Sequence, residues 1–358
     1  MSQSLSGGTG SGAANGVTTQ QYGGANNPLL ASGDEAIAYA TNSTAVGQVS
    51  QAGNSFSTNG NSTAVGYNSL ASGDFSTSTG SASQAGSSTT NHTDGVAFGY
   101  AALARGIRTM AIGSNANAGD NTADSIAIGY KATTSASLAT VLGNNATASA
   151  AAAMALGENA AASANNALAV GQFSSSAGAG AIAMGNSSTA TLNGDIAVGF
   201  NSNASGTVNG LATAVGNQSF ATADFSSAFG ANAVSFGVNS GAFGQASRDD
   251  GLSNVVSIGS SSQTRRLIHV TNGINPSDAA TVAQLTTASN QVLVVAEQAL
   301  AIANQALATA SQSSSQAAAA LALANRSLLI GLENQHKLHR IEEFLCRSGY
   351  TRYHDYDS

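Results

Sequence analysis

A four-residue phrase recurs along this chain: an aliphatic residue, Ala, an aliphatic or aromatic residue, then Gly. Val96-Ala97-Phe98-Gly99, Ile126-Ala127-Ile128-Gly129, Met154-Ala155-Leu156-Gly157, Leu168-Ala169-Val170-Gly171, Ile182-Ala183-Met184-Gly185 and Ile196-Ala197-Val198-Gly199 are its clearest copies. The closing glycines run Gly47, Gly66, Gly99, Gly113, Gly129, Gly143, Gly157, Gly171, Gly185, Gly199, Gly216, Gly230, Gly244 and Gly259, and from Gly129 to Gly199 the step is 14 residues five times in succession. Gly80, 14 residues beyond Gly66, closes a degenerate copy. A fixed short period of this kind means stacked structural repeats.

A second phrase follows each glycine. Asn often stands two residues on, as at Asn68, Asn115, Asn145, Asn159, Asn201 and Asn232. A small residue, a spacer and usually Ala come next: Ser69-Leu70-Ala71, Ala116-Asn117-Ala118, Ala146-Thr147-Ala148, Ser188-Thr189-Ala190 and Ser219-Phe220-Ala221. Gly and Asn accept the positive backbone angles of tight corners, so each unit reads as two short strands joined by turns, one coil of a narrow β-solenoid. Alternation puts Ile126 and Ile128 on one face of their strand and Ala127 on the other. Both faces are then apolar or small, which predicts that the small-residue face is covered too, most simply by neighbouring copies of the chain.

Composition supports a repetitive fold. Charged residues make up 8% of the chain, Trp is absent and there are 41 Gly, where ordinary domains carry about 25% charged residues. Disordered chains share low aromatic content but not periodic apolar residues. Residues 1–262 hold four basic side chains (Arg105, Arg108, Lys131, Arg248) against eleven acidic ones, which is the whole net charge of −7, while residues 263–358 hold seven of each. Phosphate contacts need clustered Lys and Arg, so nucleic acid is excluded as an expected partner. The one cysteine, Cys346, excludes an intrachain disulfide framework and reads as a free thiol. No uninterrupted run of about 18 apolar residues occurs, and no membrane insertion is expected.

Residues 1–35 read as a Gly/Ser/Asn-rich leader with no secretion signal, and repeats run over 36–262. The chain then changes character. Residues 263–285 form a distinct segment, and Pro276-Ser277-Asp278 predicts a helix start there. Leu293, Leu300, Leu307, Leu321 and Leu328 occupy one seven-residue series, with Ala296, Ala303, Ala310, Ala317 and Ala324 three residues later. This 3–4 spacing predicts a coiled coil over 286–346, and Val295, Ile302, Leu323, Ile330 and Phe344 widen the stripe in a way that suits three strands. Residues 347–358 form a polar tail.

These residues together closely resemble the trimeric autotransporter adhesins. The 14-residue phrases are similar to the head repeats of that family, and Arg266, Ile268, Val270, Gly273, Asp278-Ala279 and Val282-Ala283-Gln284-Leu285 to its neck. The resemblance implies a homotrimer of left-handed parallel β-rolls, a neck that narrows the head to a stalk, and a trimeric coiled coil. It also implies heads that bind host matrix proteins, cell surfaces or one another. The lack of a secretion signal and of room for a membrane β-anchor after Cys346 departs from the family, and places a virion or phage fibre slightly ahead of an anchorless bacterial adhesin.

Candidate chemistry is sparse. His336 and His339 lie near Glu342 and Glu343 on one helix, a conceivable metal site shared by three chains but better read as exposed polar residues. His269 reads as a packed or hydrogen-bonded neck residue. Asp120, Asp124, Glu158, Asp195 and Asp224 do not recur at one position of the repeat, so no calcium ladder is expected. No cofactor site, phosphate loop or nucleophile triad is present. The expectation is a non-enzymatic trimeric fibre that adheres through many weak contacts to a host surface protein or glycan, with loop insertions between Gly66 and Gly99 and between Gly199 and Gly216 as contact points. The alternative is a tailspike-like glycan depolymerase with a pair of catalytic carboxyls. Ice binding is a weaker third reading, because no flat Thr array occurs at a fixed position.

Overall fold

The computed structural model describes residues 20–21, 30–39, 41–53, 60–86 and 94–348. The chain divides into two units, residues 1–266 and 267–358. In the first, each repeat contributes one strand to each of two parallel sheets. The phrase strands, such as Ile126–Ile128, Thr140–Leu142 and Met154–Leu156, build a sheet of sixteen strands among the described residues, and the second phrases, such as Thr133–Thr134 and Thr147–Ala148, build one of fifteen. The register follows the period: Met154 pairs with Leu168, Ala155 with Ala169 and Leu156 with Val170.

The strands begin earlier than residue 36. Leu30–Ser32 pairs with Thr44–Val46 as a degenerate phrase, and Gln20–Gln21 pairs with Ile37–Ala38. The rest of the expected leader and the tail from residue 349 lie outside the described residues.

The corners have the backbone that the composition calls for. Asn68, Asn115, Asn145, Asn159, Asn201 and Asn232 all have φ between 50° and 58°, a left-handed conformation that Asn tolerates better than most residues. At the closing position only glycine fits. Gly143 has φ +156° and a Cβ added there would stand 2.2 Å from the carbonyl oxygen of Gly157. Gly171, at φ +126°, would place one 2.5 Å from the carbonyl oxygen of Gly185. Successive rungs thus touch backbone to backbone at this corner. Where serine follows the Asn position its hydroxyl closes back on the glycine carbonyl, as from Ser174 to Gly171 at 2.8 Å and from Ser188 to Gly185 at 2.9 Å.

The faces are assigned the other way round from the expectation. Ala97, Ala111, Ala127, Ala155, Ala169, Ala183 and Ala197 are fully buried between the chain's own two sheets, facing Ala118, Ala148, Ala162 and Ala190 of the second phrases. The small-residue face is therefore covered from within, and the larger aliphatic residues point outward. Strands of two or three residues enclose a space too narrow for facing Ile and Leu side chains, so the interior is filled by Ala and Ser, and among the described residues only Val141 of the larger aliphatics is wholly buried.

Among the described residues the second unit contains one helix, Val282–Arg347, with no buried residue. It begins later than Pro276-Ser277-Asp278 predicts. Thr281 is its N-cap, in a reciprocal capping box with Gln284. Asp278 instead accepts from the backbone N–H of Ile274 and Asn275, each at 2.9 Å, and closes a turn ahead of the helix. By length and averaged apolarity this helix could cross a membrane, because its many alanines count as apolar; its leucines, however, recur at heptad spacing.

Candidate adhesive surfaces

The two outer faces of the solenoid differ in chemistry. Outside the phrase sheet stand Phe98, Ile112, Ile128, Leu142, Leu156, Val170, Met184, Val198, Val215, Phe229 and Phe243, one per rung. Phe98 is 57%, Leu142 52% and Met184 42% exposed. Phe229 and Phe243 stack with ring centroids 5.4 Å apart. Outside the second sheet the corresponding column is mixed: Gln51, Gln84, Asn117, Thr133, Thr147, Ser175, Thr189 and Asn203 are polar, and Ile37, Leu70, Leu103, Ala161, Phe220 and Val234 apolar. A contiguous apolar face of this length marks an interaction surface.

Insertions gather at the corner after the second strand. Between Gly199 and Gly216 the extra residues follow Ala204, and Asp224 of the next rung holds them. Its carboxylate accepts from the N–H of Thr207 at 2.7 Å, Val208 at 2.9 Å and Gly210 at 3.1 Å, and from the Asn209 amide at 3.2 Å. These backbone donors, Val208 foremost, hold Asp224 well below the usual carboxylate range against the opposing effect of desolvation. Asp74 meets Gly60 in the same way, 14 residues apart. The insertion between Gly66 and Gly99 falls on residues 87–93, outside the described residues. At the same corner Arg105 pairs with Asp120, and Arg108 grips Asp124 through two bonds of 2.6 and 2.8 Å, which lowers the Asp124 carboxyl.

The remaining acids are also engaged. Asp195 accepts from Leu192 N–H at 2.8 Å and Ala212 N–H at 2.9 Å, and Glu158 from the Gln172 amide at 2.8 Å. Burial opposes ionisation of Asp249, yet Ser235, Phe236, Gly237 and Gly251 donate to it and its pKa is lowered. Asp74, Asp195, Asp224 and Asp249 thus accept from turn backbone, whereas Asp120, Asp124 and Glu158 meet side chains of neighbouring rungs.

Of the closing glycines, Gly99, Gly113, Gly129, Gly143, Gly157, Gly171, Gly185, Gly199, Gly216 and Gly230 share the corner conformation, with each Cβ position blocked by the next glycine. Gly244 meets the Arg265 guanidinium instead, and Gly259 has no left-handed backbone. Arg265 ends the stack: it donates to Ser247 Oγ at 2.8 Å, to the Ile258 carbonyl at 2.7 Å and to the Gln245 carbonyl.

In the segment expected to form a neck, the Gln284 amide brackets Gly273, donating to its carbonyl at 2.9 Å and accepting from its N–H at 3.0 Å. Asp278 is lowered by the N–H groups of Asn275 and Ile274. Arg266, the last residue of the first unit, and Ile268, Val270, Val282 and Leu285 of the second are exposed, with Ile268 58% and Leu285 66% accessible. His269, expected to be packed or hydrogen-bonded, is exposed with φ +62°. His339 lies 3.9 Å from Glu342 and 3.8 Å from Glu343 on the exposed helix surface. Among the described residues no group of three His, Cys, Asp or Glu side chains could hold a metal ion.

A parallel β-solenoid with one apolar outer face, followed by a long heptad-patterned helix with nothing buried, defines the class: a β-roll head with a helical stalk. The family described as YadA head domain repeat (2 copies) matches at residues 30–50, 57–83, 93–116, 123–146, 148–174, 176–202 and 211–233. The repeats of the head are thus of the YadA head type. A similar solved structure is the collagen-binding domain of the Yersinia adhesin YadA, with 27% identity over 52% of this chain and 84% of that one, at a TM-score of 0.27. No curated protein sequence matches.

Proposed function

We propose that the chain is a non-enzymatic homotrimeric fibre that attaches to a host or cell surface by repeated weak contacts of its head. The observation that carries this reading is the continuous apolar face outside the phrase sheet, together with a 66-residue helix that buries nothing. Burying one Leu, Ile, Phe or Met contributes about 1.5–3 kcal/mol, and association costs about 4–15 kcal/mol. One or two such side chains per rung are sufficient to hold copies together. A heptad stripe on an exposed helix asks for the same partner. We place head, neck and stalk at 36–262, 263–285 and 286–346, and the fibre on the outside of a cell or virion. Three identical heads multiply a weak contact through effective concentration. The depolymerase alternative is not favoured, because Asp195 and Asp224 are occupied by turn backbone and Asp120 and Asp124 by arginines.

Light scattering after size-exclusion chromatography tests this reading. The full chain should run at three times its 35.0 kDa, and a chain ended at Ser262, without the helix, should dissociate at lower dilution than the full one. A monomer at micromolar concentration would refute it.

A further inference from the structure

The outer face of the second sheet contains a groove that the trimeric reading leaves open. It has a volume of about 520 Å³ and is lined by Leu103, Asn115, Asn117, Lys131, Thr133, Asn145 and their neighbours over four rungs, which is within the range of small-ligand sites, about 300–1,000 Å³. Lys131 Nζ lies 5.1 Å from the centre of the Tyr130 ring and forms no ion pair among the described residues. No acid lines the groove. The Arg105 and Arg108 guanidiniums of these same rungs are neutralised by Asp120 and Asp124, so Lys131 is an uncompensated positive charge in an otherwise acidic head.

Tyr130 and Tyr100 do not line the groove but directly precede its lining residues Lys131 and Ala101 in the chain, and they belong to a column. The backbone ladder runs from Tyr67 through Ser81, Tyr100 and Ser114 to Tyr130: Ala82 donates to the Tyr67 carbonyl, Ala101 to Ser81, Asn115 to Tyr100 and Lys131 to Ser114. Tyrosine thus recurs at every second rung, and Tyr67, Tyr100 and Tyr130 are 58, 60 and 46% exposed. With strands about 4.8 Å apart, the rings repeat at about 10 Å. A linear β-linked polysaccharide repeats each disaccharide over a comparable length, which lets alternate sugars lay an apolar face on successive rings while their hydroxyls meet amides and hydroxyls alongside.

We propose that this groove binds a linear glycan that carries carboxylates, with a carboxylate on Lys131, a sugar face on Tyr130 and a second on Tyr100, and hydroxyls on Asn115, Asn117, Asn145, Thr133 and Thr147. The inference rests on the adhesive reading and names its ligand class. Densely sulfated chains are disfavoured, since one lysine within a head of net charge −7 cannot offset their charge.

The test uses the full chain and calorimetric titration with a uronic-acid hexasaccharide, its carboxyl-reduced counterpart and a sulfated hexasaccharide. Two substitutions borrow residues that the protein itself uses at these positions: Lys131→Asn, as at Asn115 and Asn145, and Tyr130→Ser, as at Ser114. The wild-type chain should bind the uronic acid at least tenfold more tightly than either comparator. Lys131→Asn should abolish that preference without lowering the melting temperature, and Tyr130→Ser should weaken both uronic and reduced sugars. Equal binding of all three sugars, an unchanged preference in Lys131→Asn, or a destabilised oligomer in either variant overturns the proposal. Attachment of whole fibres to cells, measured in parallel, separates the two readings. Attachment undiminished in Lys131→Asn defeats the glycan site alone, whereas no attachment by wild type defeats the adhesive function.

Discussion

The head and the helix are stabilised in opposite ways. In the head the alanines of successive rungs are buried between the chain's own two sheets, and each rung exchanges backbone hydrogen bonds with the rungs before and after it. The helix satisfies its backbone internally and buries no side chain at all. A head rung therefore draws its stability from its two neighbours, as in other repeat proteins, while the helix draws its own from outside the chain. Association is optional for one and obligatory for the other.

The largest predicted effect breaks the head from within. Gly171→Val puts a branched side chain where even a Cβ meets the Gly185 carbonyl at 2.5 Å, in a left-handed conformation. It should cost about 3 kcal/mol or more, visible as loss of the cooperative β transition in chemical unfolding while the helical signal of the stalk persists. If both signals vanish together, the two regions are not independent.

Next comes the stalk. Leu300→Asn with Leu307→Asn places amides in the heptad stripe and should remove most helical ellipticity at micromolar concentration, with the β signal retained. Helicity that is unaffected by dilution would contradict an associating helix.

Acid titration sharpens the comparison at smaller amplitude. The carboxyl of Asp224 is depressed in the folded head by the N–H groups that hold the 205–210 loop. Its contribution is fully present above the unfolded value of about 3.9 and is lost as pH falls through the lower folded value. Asp224→Asn should therefore lower the melting temperature at pH 7, and its difference from wild type should shrink steadily below about pH 4. A pH-independent difference would assign the effect to packing alone. The smallest effect is at the helix start. Thr281→Ala removes the capping side chain and should cost about 1 kcal/mol, read as a slightly earlier helical melt with no change in the head.

The period and the paired strands were legible because 14-residue spacing and parity act locally: Gly, Asn and alternating residues each settle their own backbone. Which face lies inside was not legible. Ile126 and Ala127 are both apolar, and parity separates faces without naming the inner one; that follows from the width of the closed coil, which admits Ala and excludes Ile. The helix start was misplaced because Pro276 and Asp278 imitate an N-terminus, although Thr281 and Gln284, three apart, carried the capping-box signal. The role of Asp224 was hidden since the donors it serves lie 14–17 residues away in sequence, yet one rung away in space. The two polar columns of the groove become one surface only after the coils are stacked.

An alanine interior has a consequence for how such a head changes length. Ala155, Ala169 and Ala183 lie in register, and each rung presents the same small side chains and the same open hydrogen bonds to the one before it and the one after. Removing 14 residues, or copying them, leaves every remaining neighbour facing a surface it already fits. Reach can thus be adjusted in whole rungs, each about 4.8 Å, without redesigning the interior, and only the final rung, closed by Arg265, has to stay where it is.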